Sequence, residues 1–162
     1  MKIHVIILIA MFSCSFVYCQ KITFNELSKG VENVDNFLEL ITQKDFILSS
    51  KKEQNSETMY SIAEAKSYDT YLKTTDFWVF VVSSDKMNYI ELQFGDHNKV
   101  QYNYFVNYFK TNCKKVAFVQ EEYCNCFVTT YEKNGVKYDI FRKESVNGQL
   151  SYHITAEKIN KR

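Results

Sequence analysis

The stretch Asp76-Phe77-Trp78-Val79-Phe80-Val81-Val82-Ser83-Ser84-Asp85-Lys86-Met87-Asn88-Tyr89-Ile90-Glu91-Leu92-Gln93-Phe94 decides the fold class. Two alternating runs flank a two-residue turn at Asp85-Lys86. Antiparallel pairing across that turn sets Val81 opposite Ile90, Val79 opposite Leu92 and Phe77 opposite Phe94. One face of the hairpin is then wholly apolar. Trp78, Phe80, Val82 and Tyr89 face the other way, beside Glu91 and Gln93.

Other hairpins extend the pattern. Asn134-Gly135 suits a type I′ turn, which needs positive φ at both positions. It pairs Tyr131 with Tyr138 and Glu132 with Lys137, both favourable cross-strand contacts. At Asn147-Gly148 a three-residue loop with Gly148 in the left-handed region aligns Tyr152 with Arg142 and Ile154 with Ile140, which keeps one core face. Phe46–Ser49 and Thr58–Ala63 read as short strands around a polar loop, Lys51–Glu57, and Val116–Gln120 reads as another strand.

Two segments have helical spacing. Thr23-Phe24-Asn25-Glu26 has the form of a capping box, followed by Val31, Val34, Phe37, Leu38, Leu40 and Ile41 on one stripe. Asp96 can cap a second helix running through Val100, Tyr104, Phe105, Tyr108 and Phe109. The sum is an α+β domain spanning residues 20–162: an antiparallel sheet of about eight strands with helices on one face. It falls into two similar α-β-β-β(-β) repeats, residues 20–95 and 96–162. That element order resembles β-lactamase-inhibitor-like and PepSY-like domains and the saddle of TBP-like folds, and it carries over no site residue.

The leader reads as an export signal. Lys2 supplies a positive start, Ile3–Phe12 an apolar core, and Ser13–Cys19 a cleavage region with Val17 and Cys19 at the small-residue positions. The residues before Cys14 and Cys19 do not fit lipid attachment, and no Asn-x-Ser/Thr glycosylation site occurs. A leader ending in Cys-Gln, within a chain lacking proline and rich in Phe, Tyr, Lys, Asn and Ile, resembles exported proteins of the Bacteroidetes, flavobacteria in particular. That resemblance implies the periplasm or the cell exterior. Codons for Phe, Tyr, Lys, Asn and Ile are AT-rich, so the aromatic total is treated as compositional background and only aromatic positions carry information.

Charge excludes one class. The 162 residues hold 20 Lys+Arg against 19 Asp+Glu, and removing residues 1–19 takes away Lys2 and no acid. A balanced chain lacks the cationic surplus that nucleic-acid binding needs. No segment after the leader approaches a membrane span.

The cysteines left after the leader are Cys113, Cys124 and Cys126, an odd count that allows one internal bridge at most. On one strand, Cys124 and Cys126 stand roughly 6.5–7 Å apart at Cα, at the limit for bridging. A tight hairpin at Gln120–Tyr123 sets Cys126 opposite Ala117 and Cys124 opposite Val119. A helix end folding back then brings Cys113 nearer to Cys126, so the candidate disulfide is Cys113–Cys126, with Cys124 as the alternative partner. Small buried thiols are the other reading. Three sulfurs with His97 or His153 could form a metal site, but the spacing is wrong for paired thiolates, and His153 reads as an ordinary exposed histidine. No metal and no cofactor are expected.

Catalysis has no motif: no phosphate loop and no Gly-x-Ser-x-Gly elbow occur, and Glu121-Glu122 reads as a solvated pair at a turn. The informative feature is the reverse face of the first hairpin, where Trp78, Phe80 and Tyr89 form a candidate partner-contact patch unless Ser67–Lys73 covers it. The leading expectation is a non-catalytic module acting by protein–protein contact in the cell envelope. The alternatives are a carrier of a hydrophobic small molecule and, third, an unrecognised hydrolase or metalloprotein.

Overall fold

The computed structural model describes residues 21–64, 77–122, 124–145 and 148–159; the expected leader, residues 1–19, and Ser67–Lys73 lie outside them. Within these residues the chain is an α+β fold with three α-helices and an eight-stranded antiparallel sheet.

The capping box forms. The Thr23 hydroxyl accepts the Glu26 N–H at 3.3 Å, and the Glu26 carboxylate accepts the Thr23 N–H at 2.7 Å, opening helix α1 (Phe24–Glu32). Spacing alone predicts one helix through Ile41, but Asn33 divides it. Its backbone is extended and its side chain accepts the Asn36 N–H at 3.1 Å, which caps a second helix, α2 (Val34–Thr42). Val31, Val34, Phe37 and Ile41 remain buried across the break.

The expected loop at Lys51–Glu57 is strand instead. β1 (Phe46–Gln54) and β2 (Glu57–Glu64) form a hairpin around Asn55-Ser56, both at positive φ. β1 is an edge strand, so its outer half needs no apolar face and gives no alternating signal. β3 (Phe77–Ser84) and β4 (Met87–Phe94) pair in the predicted register, with Phe77 opposite Phe94, Val79 opposite Leu92 and Val81 opposite Ile90.

Asp96 does not cap a helix. It opens a 3-10 turn, Asp96–Asn98, and helix α3 runs from Lys99 to Asn112. Val100 is 67% exposed, and Gln101 takes the inward position. The reason is polar satisfaction: Gln101 accepts the Lys21 N–H at 2.8 Å and donates to the Ile22 carbonyl at 2.7 Å, serving the main chain that leads into α1.

The second half continues as β5 (Lys114–Glu121), β6 (Cys126–Lys133), β7 (Val136–Glu144) and β8 (Leu150–Ile159). Asn134 and Gly135 both have positive φ, and Tyr131 meets Tyr138 and Glu132 meets Lys137 as predicted. Gly148 is also left-handed, and Tyr152 pairs with Arg142 and Ile154 with Ile140; Asn147 lies outside the described residues. The β5–β6 register differs from the expected one. Cys126 pairs with Glu121 and Val128 with Val119, because the connection is longer than a tight hairpin; nearer the start of β5, a bulge between Lys115 and Ala117 shifts the register by one residue.

The strand order is β1-β2-β3-β4-β8-β7-β6-β5, so β4 and β8 meet at the centre and β1 and β5 are the edges. All three helices contribute to one core on a single face of the sheet. Aromatic rings fill much of it: Phe24 lies 4.1 Å from Tyr108 and 5.2 Å from Tyr138, and Phe77 lies 4.6 Å from Phe94, between ring centroids.

The α1–α2 junction gives a test. A Cβ added at buried Gly30 would stand 2.5 Å from Cδ2 and 2.7 Å from Cγ of Phe37. Gly-to-Ala in a helix ordinarily gains about 1 kcal/mol, but overpacking a core costs about 1–3 kcal/mol. Gly30→Ala is therefore expected to lower stability in urea unfolding. Combining it with Phe37→Ala should cost less than the two single losses added together.

Candidate functional site

Side chains alternate along a strand, so the register that buries Phe77, Val79 and Val81 puts Trp78, Phe80 and Val82 on the rear face, away from the helices. Tyr89, Glu91 and Gln93 join them from β4. The Trp78 and Phe80 rings lie nearly parallel with centroids 6.1 Å apart, and both are half-buried. Tyr89 is also half-buried, and its hydroxyl donates to Glu91 Oε2 at 2.9 Å. The three residues of the predicted patch thus share one face.

A polar line crosses that face beside the aromatic pair. Glu91 Oε1 is 2.7 Å from His153 Nδ1, and His153 Nε2 is 2.8 Å from Ser151 Oγ. The ionised Glu91 carboxylate can only accept, so Nδ1 carries its hydrogen. Contrary to its sequence reading, His153 is not exposed: its side chain is 7% accessible and its ring stacks on Phe141 with centroids 4.6 Å apart. The pairing row Gln93–His153–Phe141 explains the burial, because it places the imidazole on a central strand between two others. The spacing Ser151-x-His153-x-Thr155 looks like a solvated strand face. The available signal was Phe141, an apolar residue of β7 on this same face.

The order carboxylate–imidazole–hydroxyl is also that of a nucleophile relay. Here Ser151 Oγ additionally lies 3.3 Å from the Lys143 carbonyl, which gives its hydrogen a second acceptor. Neither of the two grooves described below reaches Ser151.

The cysteines correct the predicted pairing. Cys124 is bonded to Cys126, and Cys113 is a free, half-buried thiol, so Cys113–Cys126 does not form. Asn125 takes φ +47°, which draws the two Cα atoms to 5.1 Å, well inside the strand spacing. Cys113 precedes Lys114, which pairs with Glu132, whereas Cys126 pairs with Glu121 at the other end of the hairpin. At about 3.3 Å per residue the two sites are more than about 20 Å apart. Burial pushes the Cys113 thiol up, against the opposing effect of Lys133. The bonded pair packs with Val128 and Phe141 in a small apolar cluster. His97 is exposed in the 3-10 turn. Among the described residues no three His, Cys, Asp or Glu side chains converge as a metal site.

Among the described residues, two grooves lie on the helix side. One of about 340 Å³ opens between α3 and the sheet, lined by Tyr102, Val106 and Lys110 of α3 and by Phe127, Tyr131 and Arg142 of the strands. Burial pushes the Tyr102 phenol to about 12 and raises that of Tyr131, so both are neutral hydrogen-bond donors at pH 7. The other, of about 550 Å³, runs between α1 and α2 past Lys29, Asn33, Asn36 and Leu40. No helix among the described residues is long and apolar enough to cross a membrane.

Glu91 supplies a pH-dependent test. Burial alone would raise its carboxyl; the hydrogen bond and charge of His153, the Tyr89 hydroxyl and the charge of Lys143 outweigh it and hold the group below its ordinary 4.5. The native state therefore binds fewer protons than the unfolded chain. The resulting stability is whole above the ordinary carboxylate range and is lost as pH falls through the lower native value. Glu91→Gln is expected to cost about 1–3 kcal/mol at pH 7. In denaturant titrations repeated at falling pH, the gap from wild type should narrow below pH 4.5. A gap independent of pH would mean that the charge of Glu91 contributes nothing.

Compared with known proteins, the chain matches no family model, no curated protein and no solved structure.

Proposed function

We propose that the chain is an exported, non-catalytic binding module that meets a protein partner of the cell envelope through the rear face of β3 and β4. The observation that carries this reading is the Trp78–Phe80 pair, half-buried and stacked on the face opposite the described helices. Tyr89 and Glu91 border it with a fixed hydrogen bond. Large aromatic side chains bring much contact area at low entropic cost, and they dominate binding hot spots. Inhibitor-like or immunity-like action fits a rigid sheet face of this kind. The mirror order of the strands, four from each half meeting at β4 and β8, supports a duplicated origin for the two halves.

A second reading, carriage of a hydrophobic small molecule, is favoured by the groove between α3 and the sheet. Its volume of about 340 Å³ and its Tyr, Phe and Val lining suit a small ligand.

Affinity capture from an envelope extract separates the two. Under the contact reading, one protein is retained by wild type and by Val100→Ala but lost with Trp78→Ala and with Phe80→Ala. Titration of that purified partner should then show at least a tenfold weaker Kd for each aromatic variant, about 1.4 kcal/mol or more. Partner binding unchanged in both variants would remove the rear face as the contact surface. Under the carrier reading, solvent extraction of the purified protein releases an apolar compound, and Val106→Trp abolishes its retention.

A further inference from the structure

The edge strand β5 presents exposed apolar side chains on both of its faces, well away from Trp78. Val116 is 41% exposed, Phe118 59% and Val119 43%, and Phe127 of β6, also 59% exposed, stacks on Phe118 with centroids 5.4 Å apart. β5 ends the sheet, so one of its two edges pairs with β6 and, among the described residues, the other pairs with no strand. Such an edge is a template for another strand. The opposite edge strand, β1, exposes Ile47 and Leu48 near its start, but its longer outer half, Ser49–Gln54, is polar and charged. Charge also runs along β5 in one direction, from Lys114-Lys115 at its start to Glu121 at its end. A strand that is basic at one end, apolar in the middle and acidic at the other is complementary to itself when reversed.

We propose that β5 pairs antiparallel with β5 of a second copy of this chain about a two-fold axis at Phe118, joining the two sheets into one. An axis normal to the sheet keeps each face on its own side, so every residue must meet one from the same face. The β6 register settles which residues those are. Phe118, opposite Thr129, belongs to the helix side; Ala117, Val119, Glu121 and Lys114 belong to the rear. With Phe118 opposite its own copy, Ala117 meets Val119. The bulge between Lys115 and Ala117 takes up one residue, as it does against β6, so Lys115 and Val116 together meet Gln120. Lys114 then meets Glu121. Both lie on the rear face, their charges are opposite, and the two-fold axis makes the contact twice. On the helix side the two Phe118 rings meet, each backed by its Phe127, so four aromatic rings leave water together.

Sedimentation equilibrium of the protein over micromolar to submillimolar concentrations tests this pairing. Wild type is expected to approach twice the monomer mass. Lys114→Glu sets two carboxylates opposite each other and should raise the dissociation constant at least tenfold; adding Glu121→Lys should restore it. Phe118→Glu should give monomer, and because Phe118 is exposed, its far-UV circular dichroism should match wild type. Register is checked in a Cys113→Ser background, where Phe118→Cys should crosslink between copies on oxidation and Ile47→Cys, on the β1 side, should not. A monomer at every concentration would overturn the proposal. So would a dimer indifferent to Lys114→Glu, or one crosslinked through Ile47→Cys instead.

Discussion

The pairing of β4 with β8 holds the molecule together. Phe94 opposite Tyr152, Leu92 opposite Ile154 and Ile90 opposite Ala156 form the seam between a four-stranded meander from each half of the chain. These side chains are at most 4% exposed. Helix α1 packs over both strands of the seam, so the first of the described helices covers the last of the described strands. On the other face the same two strands carry Glu91 and His153 in contact. The seam is therefore closed by apolar packing on one side and by a charge-assisted hydrogen bond on the other.

A residue in such a seam lies between paired strands on both sides, and its chemistry must suit its neighbours along the sheet. This explains why the polar groups of the rear face are tied to one another rather than left to solvent. Thr130 donates to Asp139 at 2.6 Å, the Asp139 N–H reaches the Thr155 hydroxyl at 3.3 Å, and Glu91 spans Tyr89 and His153. An isolated polar group there would cost about 1–3 kcal/mol. The outcome is an ordered rear surface in which Trp78 and Phe80 stand beside a satisfied hydrogen-bond network.

Much of this architecture can be read from the residues, and what cannot has identifiable physical causes. The central hairpins are legible because a strand with one core face repeats every second residue, and because Asn134-Gly135 and Gly148 mark turns that need positive φ. Lys51–Gln54 is not legible, because an edge strand open to water places no apolar demand on its side chains. The break at Asn33 depends on one side chain competing with the helix ladder, and the stripe of apolar residues passes through it undisturbed. The Cys124–Cys126 bond depends on one backbone angle at Asn125. At the candidate site, parity along the strand is enough to gather Trp78, Phe80 and Tyr89 on one face. The burial of His153 is a property of three strands at once, and no local pattern records it.

Of the eight strands, the last to be synthesised is the one that fills the middle of the sheet. A ribosome releases the chain from its amino end, so β4 and β7 wait with unpaired edges and uncovered Ile90, Leu92, Tyr138 and Ile140 until Leu150–Ile159 emerges. Glu91 and His153 are 62 residues apart in sequence, so their meeting requires a long loop to close before either is rewarded. Assembly is thus weighted toward its final step, and a chain that stops short of β8 is left with a gap at its heart instead of a frayed margin.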